Sequence, residues 1–278
     1  MIKETSIEIL SPAKLNLFLY ILGRRPDGYH NLQTLFQLVE VGDTMTFSKN
    51  NIGEIRLSGD NLKIPINENL IFKAAKAIHR PGLGVDITLN KKIPIGAGLG
   101  GGSSNAASTL IMLNYLWNLD IEKSELARIG SKLGADVPVF VFGKSALATG
   151  VGDKLSAVDI PRRWYVIIFP NCRVNTGEIF SSEELTRNST PITMADFLAG
   201  EYRNDCQVVV KERFKDVKDA LKWLGRYGDS RLTGTGGAVF ATFNSEVEAR
   251  EVAFEAPESW WTVVARGIDQ SPLMDFRL

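Results

Sequence analysis

An α+β fold is predicted for this chain, and three observations predict it. Segments of alternating apolar and polar residues fill the first sixty positions, the pattern of an antiparallel sheet. The second half reads strand, helix, strand, strand, helix, strand, which is the order of a ferredoxin-like plait. Between them a glycine-rich stretch runs directly into an apolar segment of helical period.

Composition sets the outer limits. The 278 residues suffice for one large domain or two modest ones. Lys plus Arg equals Asp plus Glu at 32 each, so no nucleic-acid partner and no electrostatic membrane anchor is expected. Cys172 and Cys206 stand alone, and His30 and His79 are the only histidines, which argues against zinc and against a disulfide scaffold. No apolar run approaches a membrane span, and Met1 to Ser6 carries no signal-peptide core, so a cytoplasmic location is expected.

In chain order, residues 7–20 read as a strand. In Lys14-Leu15-Asn16-Leu17-Phe18-Leu19 the leucines take one face and Lys14 and Asn16 share the other. That pair marks either a functional face or the solvated face of an edge strand. Residues 23–28 are turn chemistry, followed at once by Tyr29 and His30. Tyr29 either packs back on its own domain or presents its ring to a ligand. Strands follow at 31–39, 44–48, 54–58 and 85–89, with a helix at 69–80 stopped by Pro81.

Next comes Pro94-Ile95-Gly96-Ala97-Gly98-Leu99-Gly100-Gly101-Gly102-Ser103-Ser104, with five glycines in the seven positions from Gly96 to Gly102. Glycine has no side chain to bury, so the run is expected to serve positive φ and close approach to its amides rather than packing. Ala106, Leu110, Leu113 and Trp117 recur at helical spacing, with Ser103 or Ser104 as the expected cap. Glycines feeding a helix N-terminus form a phosphate cradle, where free N–H groups meet an anion. A flexible linker rarely ends in a capped apolar helix. A dinucleotide fingerprint would need a strand and a ribose-binding acid beyond the helix, whereas the region after Asp120 reads as another helix, to Leu133. A Walker loop would need Lys where Gly102 stands, so a phosphate-binding lysine must come from elsewhere in the chain.

Asp136 lies at the edge of an apolar segment, either as a helix cap or as a functional carboxylate. Composition loosens from Gly150 to Arg163, which divides the chain into residues 1–155 and 156–278. The second part reads strand 164–169, a helical insertion at 176–204, helix 212–224, strands 229–234 and 238–243, helix 245–255 and strand 260–266. Thr233-Gly234-Thr235-Gly236-Gly237 joins the middle strands. It is richer in glycine than a hairpin needs, which favours a backbone nest aimed at a ligand.

Three stretches together, Ser11 to Leu17, Pro94 to Ala107 and Leu232 to Gly237, resemble the three motifs of the GHMP small-molecule kinases over nearly the whole chain. Arg24-Arg25-Pro26-Asp27-Gly28-Tyr29-His30, Gly134-Ala135-Asp136-Val137-Pro138 and Asn175-Thr176-Gly177-Glu178-Ile179-Phe180 are similar to the branch acting on a cytidine diphosphate-linked methylerythritol, in the non-mevalonate route to isoprenoids. Thr233 and Gly237 stand where relatives often carry Ser and Ala, a difference of local turn packing. The resemblance implies the GHMP kinase fold, with an N-terminal domain like ribosomal protein S5 domain 2 and a C-terminal ferredoxin-like plait. It implies ATP along the glycine loop and Lys14 with Asp136 as the catalytic pair. Asp136 would take the proton of the substrate 2-hydroxyl, oriented by Lys14. Mg²⁺ would bridge phosphate oxygens with Ser104 as the protein contact. Asn69, Leu70 and Lys91 would line the adenine pocket. Tyr29 and His30 would receive the cytosine, with Asn16, Thr176, Phe180, Gly234, Thr235 and Gly236 completing the substrate site. The protein would be a monomer or a homodimer. A kinase of this fold acting on homoserine or mevalonate, a silent nucleotide binder, and more distantly a dehydrogenase are the alternatives.

Overall fold

The structure, a computed structural model, describes residues 6–59 and 64–276. Met1 to Thr5, most of the segment read for a signal peptide, lie outside them. β1 (Ile7–Arg24) and β2 (His30–Asn50) form a long antiparallel hairpin. The two strands expected at 31–39 and 44–48 are one, because β2 runs on through a register shift opposite Pro12 and Ala13. Gly42 makes that crossing possible, since a Cβ there would lie 2.0 Å from Ser11 O. β2 also pairs with β4 (Gly84–Asn90), which pairs in parallel with β3 (Ile55–Gly59).

Helices α1 (Leu70–Ile78), α2 (Gly101–Trp117), α3 (Lys123–Ser131) and α4 (Val137–Phe142) complete the first half. α2 is buried almost all round from Ser104 onward, as a helix at the centre of a domain must be. Its core includes Ala107, Leu110 and Leu113 against Met45, Phe47 and Ile87 of the sheet. α3 is shorter than expected: Glu122 precedes it, and Asp120 has φ 52° instead of capping.

β5 (Ala146–Thr149) pairs with β2 and with β6 (Lys154–Ala157). β6 spans the expected division at 155/156. β7 (Trp164–Phe169) opens the plait. The insertion after it carries α5 (Thr176–Ser181) and α6 (Met194–Leu198). The helix expected at 212–224 is α8 (Lys215–Leu224), and an additional helix, α7 (Cys206–Arg213), precedes it, the two separated at Phe214, whose backbone is extended. Then come β8 (Arg231–Leu232), β9 (Val239–Phe243), α9 (Glu246–Phe254) and β10 (Trp261–Ile268). These four strands lie in the order β10-β7-β9-β8, all antiparallel, as the plait demands. β10 also pairs with β2 through Gly267 and Ile268, which joins the two halves into one sheet. Cys206 is buried and Cys172 half-buried, both free thiols. Among the described residues no helix is long and apolar enough to cross a membrane.

Candidate active site

β1 delivers Lys14 and Asn16 to one face, and neither meets solvent: Lys14 is 3% exposed. This is no solvated edge strand. Lys14 Nζ donates to Asn16 Oδ1 (2.6 Å) and to Gly98 O (2.9 Å), and lies 3.3 Å from Asp136 Oδ2. Two of the three donors of the ammonium are thereby hydrogen-bonded, and the Asp136 contact is an ion pair. Asn16 Nδ2 donates to Thr34 Oγ1, and Asn16 N donates to Thr233 Oγ1. Lys14 N also donates to Leu99 O, so the first strand grips the glycine loop by main chain and side chain together.

Asp136 stands at the start of α4, yet its side chain makes no capping bond. It turns instead to Lys14, with Oδ1 unpartnered among the described residues. At 35% exposed, it is open to the cavity it lines. The side chain of Asp136 is therefore not a helix cap.

The loop begins α2 differently from the expectation. Gly100, in the left-handed region at φ 72°, is the cap residue, and neither Ser103 nor Ser104 caps. The first amide to bond back into the helix is that of Ser104, to Gly100 O. The amides of Gly101, Gly102 and Ser103 are the free donors that every helix start leaves. A Cβ on Gly100 would lie 2.8 Å from the Phe140 ring and 3.2 Å from Lys14 Cε.

Other glycines do serve packing, contrary to the expectation. A Cβ on Gly98 would lie 2.5 Å from Thr233 O, and one on Gly236 would lie 2.2 Å from Gly98 N. The two glycine-rich stretches, Pro94 to Ser104 and Thr233 to Gly237, are pressed backbone to backbone, with Ala238 N donating to Ala97 O.

Two cavities meet at this loop. One, of about 270 Å³, is lined by Asn69, Leu70, Lys91 and the whole stretch from Pro94 to Ser103. Asn69 caps α1 through its side chain. Asn105 is buried at this cavity with its Oδ1 unpartnered. Free helix-start amides, a lysine and an orphaned acceptor fit a nucleotide phosphate and its base. The second cavity, of about 540 Å³, runs from Lys14, Asn16, Gly98, Ser103 and Asp136 to Tyr29, His30, Thr176, Phe180, Gly234 and Thr235. Ser103 and Gly98 line both.

Tyr29 is 67% exposed, so its ring is not core. The tip that carries it is fixed by Tyr29 N donating to Asp27 Oδ1 and by the Arg25–Asp27 ion pair. His30 is buried and stacks on Phe180 with centroids 5.2 Å apart. Burial first, then the charges of Arg187 and Arg24, push the His30 imidazolium toward losing its proton below the usual histidine range. Thr176 and Thr235 share a hydroxyl–hydroxyl bond of 2.7 Å.

Two expected positions are corrected. Ser104 has a fully buried hydroxyl bonded to Ser11 Oγ (2.9 Å), behind the cradle, so it is not presented to a metal. Gly236 lines neither cavity, because its face is taken up by Gly98.

One residue the sequence did not single out is Asp43. It is fully buried and accepts from Lys91 Nζ (2.7 Å) and Asn105 Nδ2 (2.8 Å) at Oδ2, and from Lys92 N and Ile93 N (both 2.8 Å) at Oδ1. It ties the entry to the glycine loop to the first turns of α2 and aims Lys91, whose Nζ comes within 3.1 Å of where a Cβ on Gly101 would stand.

The model of the GHMP kinases N terminal domain matches residues 69–144, and that of the GHMP kinases C terminal region matches residues 183–260. A 4-diphosphocytidyl-2-C-methyl-D-erythritol kinase of Methylococcus capsulatus is 48% identical over 279 aligned positions, covering 99% of this chain and 96% of the relative. One from Alkalilimnicola ehrlichii is 47% identical, covering 95% and 92%. A crystal structure of 4-(cytidine 5'-diphospho)-2C-methyl-D-erythritol kinase superposes with a TM-score of 0.80 at 31% identity, covering 94% of this chain and all of that one. The mevalonate kinase of Methanococcus jannaschii shares the fold, with a TM-score of 0.66 at 17% identity.

Proposed function

The chain belongs to the GHMP kinases, and from that premise we propose that it phosphorylates the 2-hydroxyl of 4-diphosphocytidyl-2-C-methyl-D-erythritol with ATP, within isoprenoid precursor synthesis. The observation that carries the chemistry is the contact between Lys14 Nζ and Asp136 Oδ2 in the larger cavity, with Lys14 also bonded to Gly98, which lines both cavities. ATP supplies the phosphoryl group. The amides of Gly101, Gly102 and Ser103 and the Lys91 ammonium hold phosphate oxygens in the smaller cavity, and positioning is the main catalytic device. Asp136 Oδ1 accepts the proton of the attacking hydroxyl as the new O–P bond forms and the bond to ADP breaks. Lys14 orients Asp136 through Oδ2 and offsets charge on the transferring group.

Mg²⁺ is part of this proposal. Among the described residues no cluster of three or more acidic, histidine or cysteine side chains gathers, so phosphate oxygens and water would make up most of its shell. Ser103, on the boundary of both cavities, is the hydroxyl in place of Ser104. Tyr29 and Phe180 supply flat faces to a cytosine at the far end, and His30 its edge. A cytoplasmic location and a monomeric or dimeric state belong to the same proposal. The test is ADP release by the purified protein with the cytidyl alcohol, its uridyl analogue, homoserine and mevalonate. Turnover confined to the cytidyl alcohol is expected, and comparable turnover of homoserine or mevalonate would overturn the assignment.

A further inference from the structure

Arg187 lies beyond α5 in the insertion and is neither in the glycine motifs nor against the reacting end of the cavity. Its guanidinium is nonetheless almost fully committed. Nη2 donates to Phe180 O (3.1 Å) and Ser182 O (2.5 Å), Nη1 donates to Leu185 O (3.2 Å), and Nε donates to His30 Nε2 (3.3 Å). The carbonyls of Phe180 and Ser182 are the open end of α5, so Arg187 closes that helix and at once ties its last aromatic residue to the His30 ring stacked on it. Four of five donors are used, three on main chain, which fixes the direction of the fourth.

Arginine Nε is only ever a donor. Its partner nitrogen on His30 must therefore carry a lone pair, and the single proton of the neutral imidazole must sit on Nδ1. Protonating the ring would set an N–H against the Arg187 N–H. Nδ1 has no hydrogen-bond partner among the described residues, and His30 lines the larger cavity beside Tyr29 and Phe180. Cytosine presents an unprotonated N3, an acceptor, where uracil presents N3–H, a donor.

We propose that Arg187 is a specificity-positioning residue, which fixes His30 as a neutral Nδ1–H donor that pairs with the acceptor N3 of cytosine and opposes the N3–H of uracil. This rests on the cytidyl substrate proposed above. It adds a cause for the choice of base: the rejecting element is a donor facing a donor, and discrimination of that kind arises from leaving polar groups unpaired. The charges facing His30 are those of Arg187 and of Arg24, its cross-strand neighbour on β1, and both oppose a cationic ring.

The test exploits the two histidines of the chain. Nitrogen-15 labelling of histidine gives two imidazoles to assign by NMR in the free wild-type protein. The expected result at neutral pH is His30 protonated on Nδ1 with Nε2 bare; a proton on Nε2 would overturn the proposal without any variant. Arg187→Met is expected to mix the two tautomers and to lower the ratio of kcat/KM for the cytidyl alcohol over its uridyl analogue by about tenfold. Should Arg187→Met fail to fold, Arg187→Lys, which keeps a cation for the carbonyls but lacks the planar fork, gives the same comparison. An unchanged ratio in a folded variant would equally overturn it. Failure of the underlying assignment looks different: the wild type would not turn over the cytidyl alcohol at all, whatever the state of His30.

Discussion

Replacing Asp43 by Asn tests whether the buried carboxylate organises the nucleotide half of the site. The amide keeps an oxygen for Lys92 N and Ile93 N but turns an NH₂ toward Lys91 Nζ and Asn105 Nδ2, so donors face a donor. Lys91 is 14% exposed and loses its only ion-pair partner among those observed. Breaking a buried pair by removing one partner costs about 3–5 kcal/mol, a large part of a typical total of about 5–15 kcal/mol. At about 2–4 °C per kcal/mol, the melting temperature should fall by roughly 10 °C. KM for ATP should rise as well, because Lys91 loses the carboxylate oxygen that aims it. Removing both charges in Asp43→Asn with Lys91→Met should recover part of the stability but none of the ATP affinity, since no unpaired charge remains while the phosphate-facing cation is gone. Thermal denaturation and ATP kinetics on the three variants decide it. A melting point unmoved in Asp43→Asn, or a double variant no more stable than the single one, would refute the reasoning.

Other outcomes follow from the same geometry. Tyr29→Ala should raise KM for the cytidyl substrate about 5- to 150-fold with little change in melting temperature, the equivalent of a stacking contribution of about 1–3 kcal/mol; a destabilised variant with unchanged KM would make the ring structural. Gly100→Val should weaken ATP and ADP together and AMP far less, measured by calorimetry, because its Cβ drives into Phe140 and Lys14 at a backbone that disfavours side chains. Burial first, then the charges of Arg187 and Arg24, lower the folded pKa of His30 below its ordinary value. The unfolded chain then binds the proton first, and stability should be fully present above about pH 6.5 and fall as pH drops below it. His30→Gln should flatten that part of a plot of melting temperature against pH.

Much of this arrangement was legible in the residues, and its omissions have physical reasons. The plait and α2 were readable because periodicity reports a buried face directly. Lys14, Asn16, Tyr29 and His30 stood out as polar or aromatic residues on a strand face and a turn tip, but the residues alone left a solvated edge or a packed ring open, and only the resemblance gave them roles. The cap of α2 was misassigned to serine because Gly100 supplies the left-handed turn without any side-chain bond. Gly98 lines both cavities, yet it also packs against Gly236, and a contact across more than a hundred residues leaves no local trace. Asp43 follows Gly42 in an alternating strand and looks like an ordinary solvated acid. Only the fold, which brings Lys91 and Asn105 around it, gives it four donors. Arg187 is hidden for the same reason, 157 positions from the histidine it fixes.

The most direct test of the Lys14–Asp136 pair is single-turnover phosphoryl transfer to 4-diphosphocytidyl-2-C-methyl-D-erythritol by Asp136→Asn, Lys14→Met and the double variant, each checked for folding and ATP binding. Asp136 makes no capping bond, so the asparagine should leave α4 intact. With Oδ1 as the proton acceptor, its transfer rate should fall by roughly 10²–10⁴. Because Lys14 acts through Asp136 Oδ2, the double variant should be little slower than the slower single one. Near-normal transfer by Asp136→Asn, or losses that multiply fully in the double variant, would contradict the pair as one catalytic unit.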